Sequence, residues 1–570
     1  MEEFDHIVIG GGASGCAAAA GLVRDGGRRV LLLEAGWSNR HPLLDLAPGV
    51  YKLTDGSRYM TYHRTEAQDH LHGRVQDIPQ ANVLGGGSSV NAQVYMRGRP
   101  ADYDEWDNYA GGPASGTRWR WQDVLPHFRA MEGNNRFSND LHGAHGPLLV
   151  SDPPHIDKTA RWFLQSMQEL GLPFNPDFNG TAQYGTGFYQ FTNRAGKRCS
   201  AAHAFVEPLR DDTRLTVRLG ATVERIEFSG RKAIGVTYVD RSGTRHAAGS
   251  SSDVILAAGA LQTPKILMLS GLGPAAQLRR HGIGVLADLP GVGANLADHP
   301  EVPIIGLFDG PHGYFRQGEG WRMLKNGLQY LLFGSGPINS TGFEAGAFFN
   351  PDGEEELPSI QAYCVPIVYL DRDLQRSFSK TYGVTISTVL LKPRSRGFVT
   401  LRSENPHDLP RVSPQLLQDE ADIHDMAKGI RFLRRVLQTG PLGAHVSRIL
   451  APSDEDLSDA ALAEHCRRFV KTNYHPSGTA RIGSANDDDA VLDSELRCRG
   501  VDGLRVCDMS AAPTIVAGNT SAPAMMLGSR CASLILRDQA TTAMCLVDAG
   551  VRHCHVNPLT PSSPAATVAP

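Results

Sequence analysis

The chain opens on the apolar run Ile7-Val8-Ile9, breaks at Gly10-Gly11-Gly12, continues through the small residues Cys16 to Ala20, and reaches a second apolar run, Val30 to Leu33, that ends at Glu34. A short, unbroken apolar run bounded by turn residues predicts a strand buried on both faces, and the small-residue stretch predicts the helix between two such strands. Similar signals recur. Leu215 to Leu219 alternates, and β-structure resumes at Ala233 to Val239 after a turn at Ser229-Gly230. Asp253 to Ala257 is apolar after its first residue and runs through Ala258-Gly259-Ala260 into a helical stretch, Thr263 to Leu269, with Pro264 near its start. Leu504 to Cys507 predicts a strand closing on Asp508, and a helix starts at about Ser521 with Pro523 in its first turn.

The texture changes near residue 305, where strands such as Val384 to Leu391 and Gly397 to Leu401 alternate with loops. From Asp422, the residues Ile423, Met426, Ala427, Ile430, Leu433, Val436 and Leu437 share one helical face, and Gly440 is expected to end the helix. Its polar face, with Lys428, Arg431, Arg434 and Arg435, reads as solvated. Trp121 to Met131 predicts a short helix, and residues 37 to 80 read as loops. Residues 541 to 570, rich in Pro, Ser, Thr and Ala, read as a disordered tail. Cys545, His553, Cys554 and His555 in that tail fit no structural zinc spacing, so no metal is expected.

Gly10, Gly12 and Gly15 match G-x-G-x-x-G, and the strand, turn, helix and second strand stand in the order of a dinucleotide-binding unit. The first glycine permits the turn, the second lets backbone approach a pyrophosphate, and the third lets helix and strand pack closely. Phosphates would then sit on the helix N-terminus, near Ala13 and Ser14. Glu34 lies about 20 residues beyond the turn, where an acid holds ribose hydroxyls and repels a 2′-phosphate. Only one such fingerprint is present, so either NAD is the sole cofactor or a bound flavin takes hydride directly from substrate.

At 570 residues and 41% hydrophobic, the chain can build more than one domain. Its net charge of −4 gives no bulk attraction for nucleic acid or anionic membrane. No apolar run is long enough to span a membrane and no signal peptide precedes the first strand, so a cytoplasmic protein is expected. The 9 cysteines are scattered and read as reduced, mostly buried thiols.

Four further stretches carry a resemblance: Ala81-Asn82-Val83-Leu84-Gly85-Gly86-Gly87-Ser88-Ser89-Val90-Asn91; Gly259-Ala260-Leu261-Gln262-Thr263-Pro264 continuing to Ser270-Gly271-Leu272-Gly273; Pro290-Gly291-Val292-Gly293-Ala294-Asn295-Leu296-Ala297-Asp298-His299; and Tyr474-His475-Pro476-Ser477-Gly478-Thr479 with Gly518-Asn519-Thr520. Together, from about residue 4 to about 538, the sequence resembles the glucose–methanol–choline family of FAD-dependent oxidoreductases, near choline-dehydrogenase-like and hydroxymethylfurfural-oxidase-like members. Many relatives have Cys-Lys-Met where this chain has Ala480-Arg481-Ile482.

The resemblance implies an α/β fold, with α+β character in its second part. A Rossmann-like FAD domain (1–155, 196–304 and 480–540) is interleaved with a substrate domain (156–195 and 305–479) built on an antiparallel sheet with helices. It also implies that Ala35, Val83, Gly87 and Ala258 lie against FAD and that Asn91 to Val94 flank its isoalloxazine. Val223 should touch the adenine end through backbone, Asp508 should approach the ribityl or phosphate region, and Asn519 and Thr520 should also touch FAD. Some members attach FAD through a histidine where this chain has Val90, so non-covalent FAD is expected.

By the same resemblance His475 is the catalytic base and Asn519 its partner. A neutral imidazole suits removal of a hydroxyl proton, and an amide can donate a hydrogen bond to the developing alkoxide but cannot take its proton. Tyr474 is expected to wall the substrate. The function implied is oxidation of a small alcohol to an aldehyde or ketone, with electrons passing to O2 or another acceptor. A redox-neutral lyase or a photodecarboxylase is the alternative on the same fold. Substrate oxidation should weaken below a pH near 6.5, the ordinary histidine value.

Overall fold

The computed structural model describes residues 2–353, 357–370, 381–453 and 456–553. Five parallel strands form the first sheet, in the order Leu215–Leu219, Val30–Glu34, His6–Ile9, Val254–Leu256, Leu504–Val506. Every residue of the three central strands is buried, as their unbroken apolar sequence requires. The helix Ala13–Arg24 packs its small residues under this sheet and against the long helix Ser521–His553, where Gly21 meets Ala532. A four-stranded sheet, Glu2–Phe4, Arg245–Ser250, Lys232–Val239 and Thr222–Ser229, flanks it.

The second layer is an antiparallel sheet in the order Val446–Ala451, Pro300–Phe308, Gly383–Leu390, Ile360–Val365, Ala345–Phe349, Gly185–Phe188, with Lys471–Thr472 also paired to Pro300–Phe308. Its two faces follow the two-residue period of a strand. Ile360, Ala362 and Cys364 join a core with Ile423, Met426, Ile430 and Leu433 of the helix Glu420–Val436, whereas Tyr363, Val365 and Val389 pack with Val94, Met96 and Phe191 on the other side.

Four expectations change. Residues 37–80 are not all loop: they hold the helices Pro42–Asp45 and Gly49–Leu53 and a hairpin of Met60–Arg64 with Asp77–Ala81. Pro79 hid the second strand, but a two-stranded ribbon is all edge, where proline is tolerated. Arg434, expected on a solvated face, is 5% exposed, and burial lowers its pKa. The helix before Gly440 ends at Val436, and Gly440 instead opens a short helix, Gly440–Gly443. The last helix continues past residue 541 to His553, where a disordered tail was expected; Cys554 and His555 lie outside the described residues. The seven cysteines whose side chains are described are buried and unpaired. Among the described residues no helix is long and apolar enough to cross a membrane.

Candidate functional site

A cavity of about 610 Å³ runs from the glycine turn of the parallel sheet to the inner face of the antiparallel one. Of the positions expected to touch cofactor or substrate, all line it except Gly15 and Val83. Gly15 sits beneath the turn, where a Cβ would lie 1.9 Å from the Gly10 carbonyl oxygen. Val83 is fully buried in a small apolar cluster with Leu44, Leu53 and Tyr59.

One end of the cavity is a backbone cradle. Gly10 has φ +100°, and a Cβ there would come within 2.4 Å of Ala257 O. The second glycine-rich stretch lies directly on the first: a Cβ on Gly86 would be 2.7 Å from Gly12 Cα, and Gly85 N donates to Gly11 O at 2.7 Å. The N-terminus of Ala13–Arg24 is capped by Gly12 and therefore by no side chain, which leaves its N–H groups to a phosphate. Glu34 is buried with Oε2 accepting from Gly11 N at 2.8 Å and Oε1 from Gly36 N at 2.7 Å. Burial pushes its pKa up against these two bonds, so the carboxylate holds the turn as well as facing the cavity. Asp508 accepts from Gly259 N at 2.9 Å, Thr263 Oγ1 at 2.6 Å and Ser510 N at 2.7 Å. Thr520, Ser521 and Ala524 place the first turn of the last helix on the cavity wall, and the buried Ser521 Oγ has no protein partner. A glycine cradle for a pyrophosphate, two helix N-termini and an orphaned hydroxyl in one elongated cavity fit a bound dinucleotide.

The other end carries the ionisable chemistry. His475 follows Tyr474, a non-glycine residue at φ +63°. Such backbone persists only when its surroundings fix it. Here Tyr474 N donates to Thr472 Oγ1 at 2.8 Å, His475 N donates to Asp298 Oδ1 at 2.9 Å, and Thr472 Oγ1 donates to Asp298 Oδ2. Burial raises the Asp298 pKa to about 7.

The tautomer of His475 follows from its neighbours. His299 Nε2 lies 3.1 Å from Leu391 O, which can only accept, so Nε2 carries the proton. Burial lowers the His299 pKa to about 4, so the ring is neutral and its Nδ1 is bare. That Nδ1 is 2.9 Å from His475 Nδ1, which must therefore be the donor. His475 Nε2 is left unprotonated, accepting from Asn519 Nδ2 at 3.5 Å. The Asn519 amide is oriented in turn: Tyr363 OH donates to its Oδ1 at 3.0 Å and Gln361 Nε2 at 3.4 Å. Burial, His299 and Lys471 together hold the His475 pKa well below the ordinary histidine value.

Beside this pair, Lys471 Nζ donates to Glu301 Oε2 at 2.6 Å, and Ser387 Oγ donates to Oε1 at 2.6 Å. Lys471 and Glu301 face each other across paired strands, both are buried, and both line the cavity. The ammonium also lies 5.1 Å from the Tyr474 ring and 5.5 Å from that of Tyr369. His299, Asp298, Glu301, Lys471, Gln361 and Tyr363 were not singled out from sequence. Asp298-His299 stands in one of the motifs and could have been; the others are gathered by sheet pairing, for which no local signal exists.

The GMC oxidoreductase family model matches residues 4–301 with its N-terminal part and 393–528 with its C-terminal part. The chain is 36% identical over 540 residues to an alcohol dehydrogenase [acceptor] of Pseudomonas putida, covering 94% of this chain and 96% of the relative. It is 35% identical over 547 residues to the mitochondrial choline dehydrogenase of Homo sapiens, covering 94% and 90%. Among solved structures, pyridoxine 4-oxidase from Mesorbium loti superposes with a TM-score of 0.83 at 29% identity, covering 93% of this chain and 98% of that one. None of these relatives supports the redox-neutral alternative. Matched in both halves by the family model and nearly end to end by its relatives, this chain belongs to the GMC oxidoreductases, FAD-binding enzymes that act on CH–OH groups.

Proposed function

We propose that the enzyme oxidises a neutral alcohol with an apolar or aromatic body, that His475 Nε2 takes the hydroxyl proton, and that Asn519 Nδ2 donates to the same oxygen as negative charge builds on it. The observation that carries this is the directional chain from Leu391 O through His299 to His475, which supports a bare Nε2 on the cavity side. FAD, when bound, supplies the acceptor for the hydride lost from the carbinol carbon. Asn519 cannot remove the proton but stabilises the oxygen that loses it, and Tyr363 and Gln361 keep its amide turned that way. Cavity walls of Tyr363, Tyr369, Tyr474 and Phe343 exclude water and suit an apolar body. The Glu301–Lys471 pair leaves no uncompensated charge there for a cationic alcohol to meet.

Val90, at the position where some members carry a histidine, has no nucleophile, which supports non-covalent FAD. Electrons then pass to O2 or another acceptor. The segments 1–155, 196–304 and 480–540 for FAD, and 156–195 and 305–479 for substrate, are our working domain bounds, although the strand Pro300–Phe308 crosses the boundary at 304/305. The test is anaerobic bleaching of the flavin by a panel of alcohols. Neutral primary alcohols should bleach it; an inert flavin with all of them would overturn the proposal. Oxygen uptake against dye reduction then identifies the acceptor.

A further inference from the structure

The helix Gly320–Phe333 is amphipathic in the reverse sense. Trp321, Leu324, Leu328, Leu331 and Leu332 fall on one stripe and are exposed by 68%, 71%, 58%, 80% and 63%. The opposite face is turned inward and is polar: Asn326 is buried with Nδ2 donating to Gln317 O at 2.9 Å, and Arg322 Nη1 donates to Tyr382 OH at 3.2 Å. A surface helix normally buries its apolar stripe. The five large apolar side chains of this stripe are a contiguous patch rather than scattered singles, and Met323 and Phe333 are exposed beside it.

The geometry points to an anionic lipid surface as the occupant: we propose that this helix lies in the headgroup region of a bilayer and holds the enzyme there. Two observations favour lipid over a second copy. The charged residues on the helix, Arg322 and Lys325, are both basic, and Lys325 flanks the apolar stripe with its ammonium 5.8 Å from the Trp321 ring. Aromatic residues stand near both ends, Trp321 and Phe333, the latter 75% exposed, as in interfacial helices. The chain continues from this helix to Phe343 on the cavity wall, and Tyr51, also on that wall, donates through its OH to Thr341 O at 3.0 Å. A docked helix would thus bring the cavity close to the phase in which apolar alcohols concentrate.

The test is co-sedimentation of FAD-loaded protein with phosphatidylcholine vesicles containing phosphatidylglycerol, and with phosphatidylcholine alone. The protein should pellet with the anionic vesicles and be released by high salt. Leu324→Gln/Leu328→Gln should lower partitioning at least tenfold while flavin content and turnover of a water-soluble alcohol stay unchanged. Lys325→Gln should lower it about fivefold on anionic vesicles only, the effect of one juxtamembrane charge. Protein that remains in the supernatant with anionic vesicles would overturn the proposal. So would a dimer that the double variant dissociates, since the occupant would then be a second copy.

Discussion

His299 and His475 meet Nδ1 to Nδ1 at 2.9 Å, with their rings near perpendicular at 89°. One proton lies between two nitrogens, and the carbonyl of Leu391 decides which ring owns it. A histidine held this way is a base before any substrate arrives.

His475→Ala should retain FAD and slow anaerobic flavin reduction by alcohol by roughly 10²–10⁴-fold. His299→Phe leaves the base in place but removes its proton acceptor, so His475 can adopt either tautomer. A smaller loss is expected, on the order of tenfold, together with a shift in the pH profile. An unchanged rate and profile in His299→Phe, measured by stopped flow, would remove the tautomer lock.

The pH dependence should depart from that of an ordinary histidine. Burial, His299 and Lys471 lower the His475 pKa well below 6.5, so the ring stays neutral and able to accept a proton as the medium is acidified through that value. Protonation of this ring should therefore cause no fall in kcat/KM for an uncharged alcohol near pH 6.5, where the sequence alone places it, but only at lower pH, and a step near pH 7 would belong to Asp298. A midpoint at or above 6.5 that persists in Asp298→Asn would show the ring to be better solvated than its surroundings indicate.

On the proposed reading, the Lys471–Glu301 pair sets the charge that the alcohol meets. Choline and its uncharged isostere 3,3-dimethylbutan-1-ol differ only in that charge. The wild-type enzyme should prefer the isostere, and Lys471→Met, which strips Glu301 of its partner, should move the kcat/KM ratio toward choline by at least tenfold. Because an unpaired buried carboxylate costs about 3–5 kcal/mol, the variant can lose stability; Lys471→Met/Glu301→Gln restores neutrality and should favour the isostere again. Equal use of both alcohols by wild type and variants would refute the role.

Acid should weaken the fold before it protonates the buried rings. Burial lowers the pKa of His63, His127, His299 and His465 to about 4 each. Their unfolded-state values are near 6.5, so the unfolded chain binds protons that the folded one refuses. The stability they contribute is complete above about pH 6.5 and is lost as pH falls toward 4, at up to about 1.4 kcal/mol per pH unit for each ring. Thermal unfolding midpoints across that window should drop steadily. Asp298 and Glu344, raised by burial to about 7, act in the opposite sense and offset part of the drop; midpoints that rise on acidification from pH 6.5 to 5 would contradict the burial of these rings.

The parallel sheet was legible because its signals are local. An apolar run, a glycine turn and a terminal acid each lie within a few residues, so His6–Ile9, Val30–Glu34 and the cradle between them could be read directly. The helix Glu420–Val436 was legible for the same reason. The polar half of the cavity was not. Gln361 and Tyr363 are alternate residues of an ordinary-looking strand, Lys471 lies on a two-residue one, and only pairing across distant segments aims them at His475 and Glu301. The exposed stripe of Gly320–Phe333 was missed too, because periodicity shows that a stripe exists without showing which way it faces.

Asp298-His299 is a single dipeptide that does two jobs for a loop far away in the chain: its carboxylate tethers the backbone of His475 and its imidazole fixes the proton on the ring. The Glu301–Lys471 rung next to it belongs to the same strand pairing. On the proposed reading, reactivity and selectivity thus share one short edge, and the long stretch of sequence between the two strands can be rewritten to suit a new alcohol only where it keeps Gln361, Tyr363, Ser387 and the Leu391 carbonyl in place. A one-residue slip of that edge would undo both together.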